Sequence, residues 1–277
     1  MSLHPSLQIY ADAWTHSVEA ISALVQPLTE AEWNQPTPCP GWSVRDIVSH
    51  VIGLDCEALG DPRPIHTLPS DLYHVKTDSQ RYMELQVDAR RHHTGPEMLA
   101  ELEYTIIRRT RQLRNEKRSP QAVVAMPPLN TEGTLEQAMC RRAFDVWVHE
   151  QDLRVALGKP GNLDSPGAHV TRDLLLLALP QVVAKKAKAP AGSAVVFDVT
   201  GPLEFLRTVR VDANGVGTLD TSPSLGPAAS LSLDWEIYAR LACGRVAHDA
   251  EEVRGRIKAD GDLELAERIL REFTITK

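Results

Sequence analysis

The fold of this chain is decided by the stretch DVWVHEQD, residues 145–152. Asp145, His149 and Asp152 are spaced i, i+4 and i+7, so in an α-helix they lie on one face. Apolar side chains occupy most of the remaining circumference, which predicts a helix buried nearly all round whose imidazole and carboxylates face the interior. A buried carboxylate without a partner costs several kcal/mol, and a divalent cation would remove that cost.

An earlier helix offers a further candidate ligand. Ser43 and Asp46 form a pattern related to the capping box at its start, and His50 lies on the shoulder of its apolar stripe. Two histidines and one carboxylate on facing helices suit Zn²⁺ or another divalent ion and leave coordination positions open. The alternative interpretation is that these histidines are hydrogen-bonded core residues.

Outward from this stretch, helical spacing predicts four long helices in the first 160 residues. They cover about residues 7–28, 43–58, 96–119 and 131–157, and a shorter helix covers 79–89. Proline-rich stretches separate them. Four long helices with such connections predict an antiparallel four-helix bundle.

The second half has a different pattern. After a predicted helix at 169–188, alternating stretches at 194–199, 203–211, 215–220 and 228–233 are typical of strands, and Asn-Gly marks a hairpin. Helices are predicted at 235–243 and 263–273. We therefore predict an α+β protein with a helical domain at 1–160 and a small α+β domain at 161–277.

Composition excludes several classes of protein. The 277 residues carry a net charge of −7, so a nucleic-acid partner is not expected. The apolar stretch 174–179 is too short for a membrane span, and the N-terminal residues do not resemble a secretory signal. Four separated cysteines without a C-x-x-C pattern fit neither a disulfide framework nor a cysteine zinc site. We expect a cytoplasmic protein without membrane contact, for which a monomer is plausible.

Two segments resemble a known family. The stretch WNQPTPCPGWSVRDIVSHV, residues 33–51, resembles the signature of the mycothiol-dependent maleylpyruvate isomerase family, which belongs to the DinB-like metal-binding four-helix bundles. The stretch RAFDVWVHEQDL, residues 142–153, is similar to the second metal motif of that family. The resemblance implies His50, Asp145 and His149 as metal ligands. Asp145 stands where the isomerase has Glu, so the carboxylate is one methylene shorter, and Glu150 and Asp152 remain alternative ligands.

The C-terminal half resembles the sterol-carrier-like α+β domain of the same family. LACGR, residues 241–245, matches its Gly-Arg near a helix end, and KADGDL, residues 258–263, resembles its final strand-to-helix turn. Arg245 is therefore a candidate catalytic residue that would hold a substrate carboxylate at the domain interface. A charge that stabilises the helix C-terminus is the alternative.

The predicted function follows from this resemblance. We expect a divalent-metal-dependent enzyme that uses the low-molecular-weight thiol mycothiol in S-transfer or cis-trans isomerisation of a small electrophilic substrate. Glu150 or Asp152 would move a proton. The alternatives are a non-catalytic, metal-stabilised bundle whose second domain binds an apolar ligand or a partner, and metal-assisted hydrolysis without a thiol.

Two further features are predicted to be structural. The basic run that includes Arg108 and Arg109 is expected to be a solvated helix end. Trp33 and Trp42 are expected to be packing anchors of the proline-rich turn.

Overall fold

The computed structural model describes residues 3–127 and 131–276. The chain folds into two compact units. The first, here called the helical unit, comprises the chain up to Gly161 together with Ser165–Val170. The second, here called the sheet unit, comprises Asn162–Asp164 and the chain from Thr171 onward. Helices precede a β-sheet region, so the predicted α+β class is confirmed.

The helical unit is built mainly from long helices. In chain order its elements are α1 (Pro5–Val25), α2 (Glu30–Trp33), α3 (Val44–Leu59), α4 (Asp78–Asp88), α5 (Gly95–Arg114), β1 (Val123–Met126), β2 (Thr131–Thr134) and α6 (Leu135–Ala156). Helix α1 packs against α5 and α6, and α3 packs against α4, α5 and α6. Apolar side chains from α1, α3, α5 and α6 share one core. This packing brings the His50 helix beside the helix of Asp145 and His149.

The start of α3 is fixed by its own sequence. The Ser43 side chain accepts a hydrogen bond from the Asp46 backbone, and the Asp46 carboxylate accepts from the Ser43 backbone at 2.9 Å. This capping box satisfies two backbone N–H groups that the first turn leaves without partners. An isolated β-bridge between Pro36 and Ser43 closes the preceding turn. His50 consequently lies in the second turn of a helix whose origin is fixed.

The start of the fourth predicted long helix, at residue 131, was predicted too early. Thr131–Thr134 forms β2, which pairs antiparallel with β1, and α6 begins only at Leu135. Thr134 caps that helix in a capping box with Gln137. β-Branched residues at the end of this segment fit a strand as well as a helix start. Backbone pairing with Val123–Met126, which no local pattern signals, selects the strand.

The sheet unit holds a five-stranded sheet. The remaining elements are α7 (Pro166–Gln181), which is followed by a π-helical segment at Val182–Lys186, β3 (Ala194–Thr200), β4 (Phe205–Val211), β5 (Gly217–Asp220), β6 (Ala229–Asp234), α8 (Trp235–Ala242), a 3₁₀ turn at Glu251–Val253, β7 (Ile257–Gly261) and α9 (Leu263–Arg271). Of these, α7 has its first residues in the helical unit. The strand order is β5-β4-β3-β6-β7, and only β3 and β6 pair in parallel among these described strands.

Alternation sets the core of this sheet. Val195, Phe197 and Val199 on β3 are buried, and the residues between them are more exposed. The ring centroid of Tyr238 on α8 lies 5.2 Å from that of Phe205 and 5.3 Å from that of Phe273. The interior of the sheet unit is thus apolar and aromatic. None of the described helices is both long and apolar enough to span a membrane.

Candidate metal centre

Three potential metal ligands from two helices meet in the helical unit. His50 on α3 and Asp145 and His149 on α6 each offer one ligand atom, and these atoms lie within 4.8 Å of one another. The Nε2 atoms of both histidines lie 3.5 Å from oxygens of Asp145, His50 from Oδ2 and His149 from Oδ1. His50 and His149 are buried, whereas 30% of the Asp145 side chain is exposed. Solvent therefore reaches the cluster from the Asp145 side.

A carboxylate orients His149. Nδ1 of His149 lies 3.0 Å from Oδ2 of Asp152, which is 2% exposed. A carboxylate only accepts hydrogen bonds, so Nδ1–H donates to Asp152 and Nε2 is the nitrogen that faces Asp145. A ligating histidine commonly donates its second N–H to a carboxylate in this way. Burial disfavours a charged His149 imidazole, but the hydrogen bonds with Asp145 and Asp152 together raise its pKa.

A buried ion-pair network supports Asp145. The guanidinium of Arg142 contacts Asp145 Oδ2 and donates to both Asp55 oxygens at 3.1 and 2.9 Å. Arg142 Nη2 also donates to the Val51 carbonyl at 2.7 Å, which ties α6 to α3. Asp55 accepts a further hydrogen bond from Trp14 Nε1 at 3.1 Å. Arg142 thereby fixes the position of the carboxylate between the two histidines.

The donor set fits a divalent cation. Burial lowers the pKa of His50, so its neutral, ligating form is favoured. Burial opposes ionisation of Asp145, but the two imidazoles hold its pKa well below the usual value, which favours the carboxylate. Among residues 3–127 and 131–276, Nδ1 of His50 has no hydrogen-bond partner, and Nε2 has only the 3.5 Å approach to Asp145 Oδ2. An orphaned buried imidazole beside a carboxylate is what a metal ion would satisfy.

An aromatic ring covers the histidines. The ring centroid of Trp42 lies 5.0 Å from that of His50 and 6.0 Å from that of His149. Its indole Nε1 donates to Oε2 of Glu84 at 2.8 Å. Trp42 was predicted to be a packing anchor of the turn, and the structure also places it against the candidate ligands.

The other predicted site residues lie outside the ligand cluster. Glu150 is fully buried and pairs with Arg154 at 2.8 Å. Arg245 belongs to the sheet unit, where its Nη1 donates to the Cys243 carbonyl at 2.8 Å. Roles in catalysis for Glu150 and Arg245 stay predictions.

The prediction of a solvated basic run was wrong for Arg109. Only 13% of its side chain is exposed, and its Nε lies 3.8 Å from Asp55. Arg108 pairs at the surface with Asp61, with both hydrogen bonds at 2.6 Å. Helical spacing alone does not distinguish these neighbours, because the burial of Arg109 depends on a carboxylate from another helix.

The sequence analysis did not identify Arg142, Asp55 or Glu84. Arg142 lies three residues before Asp145, so its placement on the same helix face was available as a signal. Glu84 lies in a region of weak apolar pattern, and Asp55 lies among the last turns of α3. Nothing local indicated that these two carboxylates are buried.

Comparison with known proteins identifies the family. A family model described as the mycothiol maleylpyruvate isomerase N-terminal domain matches residues 14–154, and one described as the MDMPI C-terminal domain matches residues 169–268. The chain belongs to the mycothiol maleylpyruvate isomerase family. Family membership supports an enzyme of the mycothiol-dependent isomerase or transferase kind.

Two solved structures share the fold of this family member. A crystal structure of the mycothiol-dependent maleylpyruvate isomerase matches with a TM-score of 0.57 at 14% identity over 92% of each chain. A histidine-to-alanine mutant of that enzyme matches with a TM-score of 0.57 at 13% identity and the same coverage. A sterol carrier protein 2 like 2 from Aedes aegypti aligns with 37% of this chain and 96% of its own, with a TM-score of 0.30 at 13% identity. None of the curated proteins compared with the chain matches it.

Proposed function

We propose that this family member is a divalent-metal-dependent enzyme that uses mycothiol as cosubstrate in S-transfer to, or cis-trans isomerisation of, a small electrophilic molecule. The observation that supports the proposal is the meeting of His50, Asp145 and His149 on two packed helices. Zinc is our first choice of metal, because two imidazoles and a carboxylate are ligands that it accepts. A cytoplasmic location stays a prediction.

The number of ligands favours catalysis over a purely structural metal. Structural zinc sites use four protein ligands, whereas catalytic sites use three and keep a position open. The described part of the chain offers three residues with ligand atoms near one another. The partial exposure of Asp145 leaves a side from which a small molecule can approach.

A bound divalent cation would supply Lewis acidity, favouring the thiolate form of a thiol and polarising a carbonyl. The chain's own residues would prepare the site for that chemistry. Asp152 holds the proton of His149 on Nδ1, which leaves Nε2 as the ligating atom. Arg142 anchors Asp145 against α3. We therefore propose Asp152 as an orienting residue rather than a proton carrier, because it lies buried behind His149.

The test compares thiol dependence with metal content. Zinc-loaded protein should conjugate or isomerise a model electrophile such as maleylpyruvate only when mycothiol is present. Equal rates without mycothiol would indicate hydrolysis and overturn the thiol proposal. A metal-bound protein without activity on a panel of electrophiles would favour the non-catalytic alternative.

The ligand assignment has its own control. His50→Ala and His149→Ala should lose stoichiometric zinc, measured by atomic absorption after dialysis. His248→Ala should retain it, because that histidine pairs with Glu267 in the sheet unit. Full zinc content in both ligand variants would show that the assignment is wrong.

A further inference from the structure

The two candidate histidine ligands are held in different ways. His149 has a hydrogen bond from Nδ1 to Asp152 that sets the orientation of its ring. His50 is 3% exposed, its Nε2 faces Asp145 Oδ2 at 3.5 Å, and its Nδ1 has no hydrogen-bond partner in the described part of the chain. No carboxylate therefore holds Nδ1 of His50 as Asp152 holds Nδ1 of His149. The orientation of the His50 ring depends on the packing around it.

The aromatic neighbour of His50 is Trp42. The two ring centroids lie 5.0 Å apart with an interplanar angle of 40°, and the ring centroid of His149 lies 4.8 Å from that of His50. Contacts between aromatic rings favour particular mutual orientations as well as burying area. Trp42 thus restricts the rotation of the His50 imidazole, provided that the indole itself is fixed.

Glu84 on α4 fixes the indole. Its side chain is 1% exposed, and Oε2 accepts hydrogen bonds from Trp42 Nε1 at 2.8 Å and from His74 Nε2 at 2.9 Å. Its Oε1 pairs with Arg91 Nη2 at 2.6 Å. Such a buried carboxylate with three donors has a defined position, because losing any donor would leave part of its charge uncompensated.

The turn before α3 is shaped to admit this contact. Gly41 has φ +81°, and a Cβ at this position would lie 2.4 Å from the His74 ring. Only glycine leaves room for His74 to reach Glu84 beside Trp42. Residues of the turn and of α4 therefore meet at one carboxylate.

We propose that Trp42 orients the imidazole of His50 by packing and that Glu84 is the positioning residue that holds Trp42 in place. The consequence of this inference rests on the proposed metal centre. Helix α4 supplies none of the three candidate ligands, but through Glu84 it would determine how well they are arranged. Groups that orient metal ligands typically change metal affinity by about 10–100-fold.

The main test uses the metal-free protein. The ring resonances of His50 in the NMR spectrum should carry a ring-current shift from Trp42. In Glu84→Gln that shift should become smaller, or the resonances should broaden. The amide has one acceptor oxygen where the carboxylate has two, so the donors Trp42, His74 and Arg91 must compete for it and Trp42 is held less firmly. Trp42→Phe should change the same resonances and should keep the contacts of Arg91 and His74 with Glu84.

A matched control is available on the same helix. Asp88 also binds Arg91 and a histidine, His66, each at 2.6 Å, but it does not contact Trp42. Asp88→Asn removes a comparable ion pair from α4 and should leave the His50 resonances unchanged. If Asp88→Asn shifts them as much as Glu84→Gln does, the effect belongs to α4 in general and the proposal is wrong.

Cobalt titration tests the consequence for the metal centre. Followed by visible absorption, Glu84→Gln and Trp42→Phe should each weaken Co²⁺ binding by about 10-fold, and the double variant should be no weaker than either one. Additive losses would show that the two residues act separately and would overturn the inference.

Failure of this inference is distinguishable from failure of the proposed function. If the wild-type protein binds no Co²⁺ but the NMR shifts respond to Glu84→Gln, the metal centre is wrong and the positioning of His50 stands. If Co²⁺ binds and the His50 resonances ignore both substitutions, the positioning role is wrong and the metal centre stands. Should Glu84→Gln fail to fold, the Co²⁺ affinity of Trp42→Phe decides, because that variant keeps the buried carboxylate and its other partners, and an unchanged affinity would overturn the positioning role.

Discussion

The interiors of the two units differ in how much charge they bury. Within the described part of the chain, the sheet unit has no buried Arg, Asp, Glu or His, and its buried polar side chains are Thr171 and Thr208. The helical unit buries several charged or ionisable groups: Arg45, Asp46, His50, Asp55, Glu84, His149, Glu150 and Asp152. Burying charge costs free energy unless each charge is paired. The helical unit carries that cost where its candidate chemistry lies, and the sheet unit has an ordinary apolar core.

The largest expected effect is on stability, and it compares the loss of a buried ion pair with the loss of a surface one. Asp55→Ala should lower the free energy of unfolding of the helical unit by about 3–5 kcal/mol, because it leaves Arg142 buried without its main counter-charge. Asp61→Ala removes a similar two-pronged pair with Arg108 at the surface and should cost less than about 1 kcal/mol. Hydrogen exchange of amides in α3 and α6 measures both. Equal losses would contradict the proposed difference in burial.

The next effect concerns metal. Zinc at 100 times its dissociation constant should stabilise the helical unit by about 2.7 kcal/mol, because a ligand that binds only the folded state shifts the equilibrium. Amides of β3 and β4 in the sheet unit should show no direct change. In His50→Ala the stabilisation should disappear, and its persistence would place the metal elsewhere. Exchange rates measured with and without zinc give the comparison.

A smaller effect with opposite signs in the two units involves tyrosine hydroxyls. The Tyr238 hydroxyl is buried in the sheet unit with no hydrogen-bond partner in residues 3–127 and 131–276, and burial raises its pKa. Tyr238→Phe should therefore stabilise that unit by about 1 kcal/mol. In the helical unit, burial and Glu57, which accepts its hydrogen bond at 2.5 Å, raise the pKa of Tyr82 to about 12.

Tyr82→Phe should accordingly destabilise the helical unit by about 1 kcal/mol, because it removes a hydrogen bond to a carboxylate. Denaturant unfolding of each variant and of the wild type measures whether the free energy of unfolding rises in Tyr238→Phe and falls in Tyr82→Phe. A loss of stability in Tyr238→Phe would show that its hydroxyl has a partner, such as a buried water.

The smallest effect should be alike in both units, because it concerns their surfaces. Hydrogen bonds with Arg118 lower the pKa of Glu116 from 4.5 to about 2, and those with Arg210 and Ser222 lower that of Asp220 from 3.8 to about 2. A lowered folded-state pKa adds stability above the unfolded pKa that is lost as the pH falls toward the folded value. Glu116→Gln and Asp220→Asn should each slightly flatten the decline in stability between about pH 4 and pH 2. Acid titration of the hydrogen-exchange rates checks this, and a large difference between the two variants would contradict it.

Much of the fold was predictable because its signals are local. The capping residue Ser43 and the apolar spacing located α3, and the Asn-Gly turn located the β4–β5 hairpin. The β1–β2 hairpin was missed because Thr131–Thr134 carries signals for both a strand and a helix start. The π-helical segment Val182–Lys186 was predicted as ordinary helix, since apolar spacing does not distinguish the two.

In the candidate site, too, some features were predictable from local sequence and others were not. The sequence by itself determined that Asp145 and His149 share a helix face, because a spacing of four residues is a property of the helix alone. Only the tertiary structure decided that Asp152 binds the far side of His149, that Asp55 and Arg142 support Asp145, and that Glu84 reaches Trp42. These contacts join residues that are distant in the chain or depend on side-chain direction. Their energies depend on burial, which arises only when the helices pack.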